Sequence, residues 1–222
     1  MSMIGILDYG MGNLRSVQKA FDRLGGTRAV VVSDPDDVVG CEKLILPGVG
    51  NFADGMRLLG ERGMVEPVRR FLDTGRPLLG VCMGMQLLFD SSTEQVDDVG
   101  GEPVAGLGVV PGRVVRFRED RGGEASGGGA SGGRLKVPHM GWNRLEPVDD
   151  SPLFAGLDEE AYVYFVHGYH CVPDDASAVA ATADYGGPFC AAVHRDHVWA
   201  TQFHPEKSQR VGLQILKNFA AL

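Results

Sequence analysis

The chain has 222 residues, of which 44% are hydrophobic, and it carries a formal net charge of −8. This length and composition suit one globular domain, residues 1–222, with a sizeable core. The acidic balance gives no broad electrostatic reason to bind nucleic acid or an anionic membrane. No apolar run approaches the ~20 residues that span a bilayer, and no cationic leader opens the sequence, so we expect a cytoplasmic protein.

Strand-like and helix-like patterns alternate through the first half of the chain. Apolar runs predict strands over residues 3–7, 29–32, 44–46 and 77–81. Apolar residues at helical spacing predict helices over residues 14–24, 52–59, 65–74 and 84–89, with Asn13 as an N-cap and Gly25 as a C-terminal stop. Strands that alternate with helices form parallel sheets, so we predict an α/β fold with a mostly parallel central sheet and flanking helices.

The second half of the chain is richer in short strand patterns. Residues 109–117 predict a β-ribbon with Gly112 at a turn or bulge, and short strands are predicted over residues 162–166, 178–183, 191–195 and 198–203. Ser208 can cap a last helix, whose apolar face carries Val211, Ile215, Leu216 and Phe219. The low-complexity residues 121–133 (RGGEASGGGASGG) predict a flexible insertion within the domain.

Cys82 lies in the segment GVCMGMQLL, between an apolar strand and an apolar helix. A strand, a sharp turn at the reactive residue and a helix together form a nucleophile elbow. The helix N-terminus favours the thiolate, and its exposed N–H groups can bind a developing oxyanion. An ordinary buried thiol is the alternative, but the glycines at positions 80 and 84 favour a nucleophile.

A base for this thiol is available in QFHPEKS, where Pro205 separates His204 from Glu206. If the segment is extended, the two side chains point to one side, so the carboxylate can orient the imidazole that takes the thiol proton. A surface turn with a salt bridge is the alternative.

The glycine-rich segment LPGVG, residues 46–50, follows a predicted strand. Sheets of α/β proteins place ligand loops at such strand ends, although a plain turn is also possible there.

The remaining histidines and cysteines do not predict a metal site, a cofactor or a disulfide. His167 and His170 are three residues apart near a predicted strand end, so we expect their rings to face roughly opposite ways. The four cysteines are scattered, which argues against a zinc knuckle and for a reducing compartment.

The motif Cys82-Met83-Gly84-Met85-Gln86, with His204-Pro205-Glu206, resembles the class I, triad-type glutamine amidotransferases. The segments DYGMGNLRSV, LPGVGNFADGM and PHMGWN are similar to the amidotransferase subunits of imidazole glycerol phosphate synthase, in histidine biosynthesis. The resemblance covers the chain except residues 121–133. It implies that glutamine is hydrolysed through a Cys82 thioester. The ammonia would pass to a partner cyclase, a (β/α)₈ barrel in a heterodimer, which makes imidazole glycerol phosphate and an aminoimidazole carboxamide ribotide.

The resemblance also implies roles for other residues. Met83 N–H and, after a peptide flip, Val49 N–H would stabilise the oxyanion. The residues implied to hold the α-amino and carboxylate groups of glutamine are Gly48, Gly50, Gln86, Gly168 and Tyr169. Those implied to face the cyclase are Asn13, Met140, Trp142 and Lys207. Gly168 departs from the family pattern, because relatives often carry Ser or Thr there.

Three other functions are compatible with parts of this pattern. One is a triad amidotransferase with a different acceptor, such as the pyridoxal phosphate synthase glutaminase, although PHMGWN argues against it. Another is a stand-alone thiol hydrolase for γ-glutamyl substrates, which would need no partner. The third is a non-catalytic regulatory subunit, which the intact Cys82, His204 and Glu206 disfavour.

Overall fold

The computed structural model describes residues 3–118, 135–148 and 150–222, so the insertion expected at residues 121–133 lies outside the described residues. The helices in these ranges are α1 (Leu14–Leu24), α2 (Pro35–Val38), α3 (Phe52–Glu61), α4 (Val65–Leu72), α5 (Met83–Leu87), α6 (Glu94–Val99) and α7 (Gln209–Ala221). None of the helices in the described part of the chain has the length and apolar composition needed to cross a membrane.

The strands fall into two groups along the chain. In the first half they are β1 (Met3–Leu7), β2 (Arg28–Val32), β3 (Lys43–Gly48), β4 (Leu78–Cys82), β5 (Phe89–Ser92), β6 (Val104–Ala105) and β7 (Val110–Arg116). In the second half they are β8 (His139–Arg144), β9 (Glu146–Pro147), β10 (Tyr162–His167), β11 (Tyr169–Pro173), β12 (Val179–Asp184), β13 (Pro188–Arg195) and β14 (Val198–Thr201).

One large sheet runs through the molecule in the order β2-β1-β3-β4-β14-β13-β11-β7-β5-β6, with β12 paired to β13 and to β9. Its first five strands are parallel, as the alternation of strands and helices predicts. Beyond β14 most pairs are antiparallel. Strands β8 and β10 form a separate antiparallel pair. The predicted α/β class with a mostly parallel central sheet is confirmed.

Helices cover both faces of the parallel strands, because alternate side chains point to opposite faces. Ile4, Ile6 and Ile45 pack with Phe21 of α1 and Phe219 of α7 on one face. On the other face, apolar side chains of the same strands pack with those of α3 and α4. All of the residues named for this packing are fully buried. The parallel strands are therefore fixed from both sides, and their ends form a rigid base for a site.

Several element predictions are wrong, and the main-chain pairing explains why. The helix expected over residues 84–89 ends at Leu87, because Phe89 joins the sheet opposite Val110. Within residues 109–117, Val110–Arg116 forms one strand of the main sheet instead of a ribbon, whereas the irregularity predicted at Gly112 agrees with a shift in register there. Strands β8 and β11 and helix α6 were not predicted at all.

Candidate active site

Three neighbouring strands deliver the three sequence motifs to the same edge of the sheet. Strands β3, β4 and β14 are adjacent and parallel, so their carboxyl ends lie side by side. Gly48, in the LPGVG motif, lies opposite Cys82 in the register of β3 and β4. Strand β14 ends at Thr201, three residues before His204. Sheet order therefore brings together motifs that are far apart in the sequence.

The elbow at Cys82 has the backbone geometry that its motif predicts. Cys82 has φ of 55° and ψ of −110°, which is strained for a residue with a side chain, and α5 begins directly after it. Helix α5 can pack against β3 only because residue 84 is glycine, since a Cβ there would lie 1.8 Å from the Leu46 carbonyl oxygen. The Cys82 side chain is 6% exposed.

His204 and Glu206 form a buried pair. His204 Nδ1 lies 2.8 Å from Glu206 Oε1, and each side chain is 2% exposed. The backbone is not extended as expected, because Pro205–Lys207 is a 3-10 turn that still brings both side chains to one side. Burial lowers the pKa of His204, but its interactions with the Cys82 sulfur and with Glu206 outweigh this effect and raise the pKa to about 9.

Ser208 occupies the N-cap position of α7, as predicted, but its side chain makes no capping hydrogen bond there and stabilises the preceding turn instead. Its hydroxyl donates to the His204 carbonyl oxygen at 2.6 Å and accepts from the Tyr164 N–H at 3.0 Å. The predicted apolar face of α7 is confirmed for Ile215 and Phe219, which are fully buried. Ser208 therefore serves the active-site turn.

A cavity of about 310 Å³ opens between these motifs. The predicted site residues that line it are Val49, Gly50, Cys82, Met83, Gln86, Gly168, Tyr169, His204 and Lys207. Gly48 is not on the wall. A Cβ at Gly48 would lie 2.7 Å from both Met83 Cβ and Tyr9 Oη, so this glycine allows close packing of the loop against the elbow. At Gly168 an added Cβ would make only ordinary contact with Val137, at 3.5 Å.

Sequence reasoning assigns no role to several residues of the site, among them Glu94 and Tyr9. Glu94 lines the cavity and accepts from the Phe52 N–H at 2.6 Å, but it begins the unpredicted helix α6. Tyr9 is fully buried, and its hydroxyl donates to the Pro47 carbonyl oxygen at 2.8 Å, which holds the LPGVG loop. Burial, followed by the nearby Cys82 sulfur, raises the pKa of Tyr9.

The residues expected to face a cyclase are exposed. Met140 and Trp142 lie on β8 with exposed fractions of 63% and 47%. Asn13 and Lys207 are also exposed. The Asn13 side chain caps α1, because its oxygen accepts from the Ser16 N–H. Exposed large apolar side chains of this kind mark interaction surfaces when they cluster.

The histidines near the cavity are not arranged as expected. His167 and His170 lie on different strands, β10 and β11, and both rings contact Phe117, at centroid distances of 5.2 and 4.6 Å. They therefore do not face opposite ways from one strand. Within the described residues there is no group of three or more histidine, cysteine, aspartate or glutamate residues that could hold a metal ion.

Comparisons with known proteins give a consistent result. The family model glutamine amidotransferase class-I matches residues 5–221. A Syntrophotalea carbinolica protein named imidazole glycerol phosphate synthase subunit HisH is 56% identical over 217 residues, 98% of each chain. A protein of the same name from Geobacter sulfurreducens is 52% identical over 224 residues, 100% of each chain. A solved structure described as a glutamine amidotransferase shares the fold, with a TM-score of 0.68 at 24% identity over 99% of both chains.

Proposed function

This chain belongs to the class-I glutamine amidotransferases and, among them, to the HisH subunits of imidazole glycerol phosphate synthase, and we propose that Cys82, His204 and Glu206 carry out its glutamine hydrolysis. The activity supplies ammonia for imidazole glycerol phosphate synthesis in histidine biosynthesis. The observation that carries the residue assignment is one cavity wall that joins the Cys82 elbow to the buried His204–Glu206 pair.

The first half of the reaction forms a covalent intermediate. The Cys82 thiolate attacks the carboxamide carbon of glutamine, and the C–N bond breaks after His204 gives its proton to the leaving nitrogen. The products of this step are a γ-glutamyl thioester and ammonia. The pKa of about 9 suits this role, because His204 carries the proton at neutral pH.

The second half releases glutamate. Neutral His204 takes a proton from water, the resulting hydroxide attacks the thioester carbon, and the thiolate leaves. Glu206 holds the ring through Nδ1, so Nε2 is directed to the reacting atoms. Both half-reactions pass through a tetrahedral oxyanion. Met83 N–H suits its stabilisation, since the first N–H groups of a helix have no acceptor within the helix. We assign the second donor to Val49 N–H after a peptide flip.

The cavity walls also suit the two charged ends of glutamine. Glu94 offers a carboxylate to the α-ammonium group, while Lys207 at the cavity wall offers a positive charge to the α-carboxylate. Gly50, Gly168 and Tyr169 offer backbone groups at the same wall. We propose that these residues bind the amino-acid end and leave the carboxamide beside Cys82.

The ammonia acceptor is proposed to sit in a partner. The HisH relatives are named as subunits of a synthase, and we propose that a cyclase subunit with a (β/α)₈ barrel completes a heterodimer with this chain. The exposed Met140 and Trp142 on β8 support this placement. Asn13 and Lys207 are proposed to belong to the same surface.

The assignment is tested by replacing the nucleophile. Cys82→Ser should reduce glutamine hydrolysis by at least about 10⁴-fold, because the hydroxyl lacks the ready ionisation of a thiol. Synthesis from added ammonia by the chain and its cyclase should persist. An electrophilic glutamine analogue should modify Cys82 in peptide mass spectra and leave Cys41, Cys171 and Cys190 intact, since Cys82 lines the cavity and the other three cysteines do not. Modification mainly at one of those three would reject the assignment.

A further inference from the structure

The Cys82 sulfur has a polar neighbour that the mechanism above does not use. Gln202 is fully buried, and its amide Nε2 lies 3.9 Å from Cys82 Sγ. Its Oε1 accepts from Gln86 Nε2 at 3.1 Å, and Gln86 is 3% exposed. A buried amide with partners at both ends has a fixed orientation. If the Gln202 amide were rotated by 180°, its N–H₂ group would face the N–H₂ group of Gln86, and neither could accept.

The direction of this chain of hydrogen bonds is set by a backbone carbonyl. Gln86 Nε2 also lies 3.2 Å from the Tyr169 carbonyl oxygen. A carbonyl can only accept, so the Gln86 atom facing it must be the N–H₂ group. The second hydrogen of that group then points to Gln202 Oε1. Gln202 must therefore present an N–H donor to the Cys82 sulfur, which suits a thiolate better than a thiol.

The same carbonyl orients two buried histidines. His167 Nδ1 lies 2.7 Å from the Tyr169 oxygen, so Nδ1 carries the hydrogen. In a neutral ring Nε2 is then an acceptor, and it faces His139 Nδ1 at 3.3 Å. His139 Nε2 in turn faces the Asn143 amide at 3.4 Å. Burial keeps both rings neutral, since it lowers the pKa of His139 to about 4 and that of His167 to about 3.

We propose that Gln202, Gln86, His167 and His139, here called the buried relay, are positioning residues that hold an N–H donor on the Cys82 sulfur. The relay starts on β8, next to the exposed Met140, and ends at the nucleophile. A displacement of β8 would therefore reach the sulfur through these side chains, each less than a tenth exposed, and through the Tyr169 carbonyl oxygen that bonds both His167 and Gln86. The proposal rests on Cys82 being the nucleophile of the proposed function.

The test is the rate at which iodoacetamide alkylates Cys82 in the full chain, followed by peptide mass spectrometry. Gln202→Met keeps the side-chain volume and removes the N–H donor to the sulfur. The alkylation rate of Cys82 should then fall about tenfold, which corresponds to the usual contribution of a hydrogen bond to a charged group. Gln214→Met is the matched control, because Gln214 donates to Asn218 on α7, outside the cavity. It should leave the Cys82 rate unchanged.

If Gln202 had only a structural role, the Gln202→Met substitution would raise the alkylation rate of Cys82 instead of lowering it. Loss of packing would expose the buried cysteines and raise the alkylation of Cys41, Cys171 and Cys190 together with that of Cys82. The proposal requires slower labelling at Cys82 with no faster labelling elsewhere. A Gln202→Met rate equal to the wild-type rate, or a rise at all four cysteines, would overturn it.

A second pair of variants tests the far end of the relay. His139→Asn keeps an N–H donor near the position of Nδ1, whereas His139→Leu removes it. We expect the Leu variant to slow Cys82 alkylation about threefold and the Asn variant to restore the rate. Equal rates for the Leu variant and the wild type would remove His139 from the relay. Since iodoacetamide needs no glutamine site, these rates remain interpretable even if the chain fails to hydrolyse glutamine.

Discussion

His204 carries the charge on which the proposed reaction depends. Its pKa is raised to about 9 by Cys82 and Glu206, against the effect of burial. Glu206→Gln keeps a hydrogen-bond partner at 2.8 Å from Nδ1 but removes the negative charge. The pKa of His204 should then fall, so the protonated form that assists amine departure is lost at lower pH.

The expected result is a glutaminase rate reduced about 10²-fold or more, with an alkaline limb that begins below that of the wild-type protein. The measurement is the pH profile of kcat/KM between pH 6 and pH 10 for both proteins. An alkaline limb at the same pH in both would show that Glu206 does not set the charge of His204.

The hydrogen bond from the Tyr9 hydroxyl to the LPGVG loop is expected to contribute to the stability of the protein. Tyr9→Phe removes the hydroxyl that donates to the Pro47 carbonyl oxygen at 2.8 Å and leaves that buried acceptor without its donor. We expect the free energy of unfolding in urea to fall by about 1–2 kcal/mol. Tyr162→Phe is the control, because that ring is 48% exposed, and it should change stability by less than about 0.5 kcal/mol. Equal losses in the two variants would contradict the assignment.

At the scale of elements, the contact between α5 and β3 sets the position of the elbow. Gly84→Ala would place a Cβ 1.8 Å from the Leu46 carbonyl oxygen, so α5 must move away from β3 or the chain must fail to fold. We expect a loss of at least about 3 kcal/mol in unfolding free energy. Gly60→Ala in α3 meets nothing within 4 Å and should gain up to about 1 kcal/mol. Thermal melts of both variants make the comparison, and a stable, active Gly84→Ala protein would refute the packing argument.

The elements that can be predicted from the sequence are those whose helix or strand signals lie in neighbouring residues. The helix α1 has its Asn13 cap, and the parallel strands have continuous apolar runs. Strands β8 and β11 could not be predicted, because each becomes a strand by pairing with a distant segment, as β8 does with β10. The motifs at Cys82 and at His204 point to the side chains that we propose as catalytic. They do not identify Tyr9 or Gln202, whose roles arise only when the strand ends meet.

At the scale of the whole molecule, the proposed active site lies where the parallel and the antiparallel parts of the main sheet meet. Strand β14 is parallel to β4 and antiparallel to β13, so the parallel strand ends that carry Cys82 adjoin the antiparallel part of the sheet. The separate β8–β10 pair carries Trp142, whose indole packs edge-on to Tyr164 with a centroid distance of 6.0 Å. The surface that faces solvent at Met140 and Trp142 thus belongs to a small sheet connected to the site by the buried relay.

This arrangement predicts that a cyclase partner changes the activity of the site. If the Val49 N–H points away in the isolated chain, one of two oxyanion donors is absent, and the loss of one such donor costs ~10²–10³ in rate. Glutamine hydrolysis should therefore be slow for the chain alone, faster in the complex, and fastest with the acceptor nucleotide bound. Equal rates in the three states would reject partner activation and favour a stand-alone hydrolase.

Trp142→Ala tests the surface through which the partner would act. An aromatic side chain at the centre of an interface commonly contributes about 2 kcal/mol or more, so titration with the cyclase should give a Kd raised about 30-fold. Val31→Ala, on the edge strand β2 with 40% exposure, is the control and should bind normally. At saturating cyclase the Trp142→Ala complex should recover most of its glutaminase rate if the indole contributes only affinity. If the rate stays low when all the chain is bound, Trp142 also transmits the partner's effect to the site.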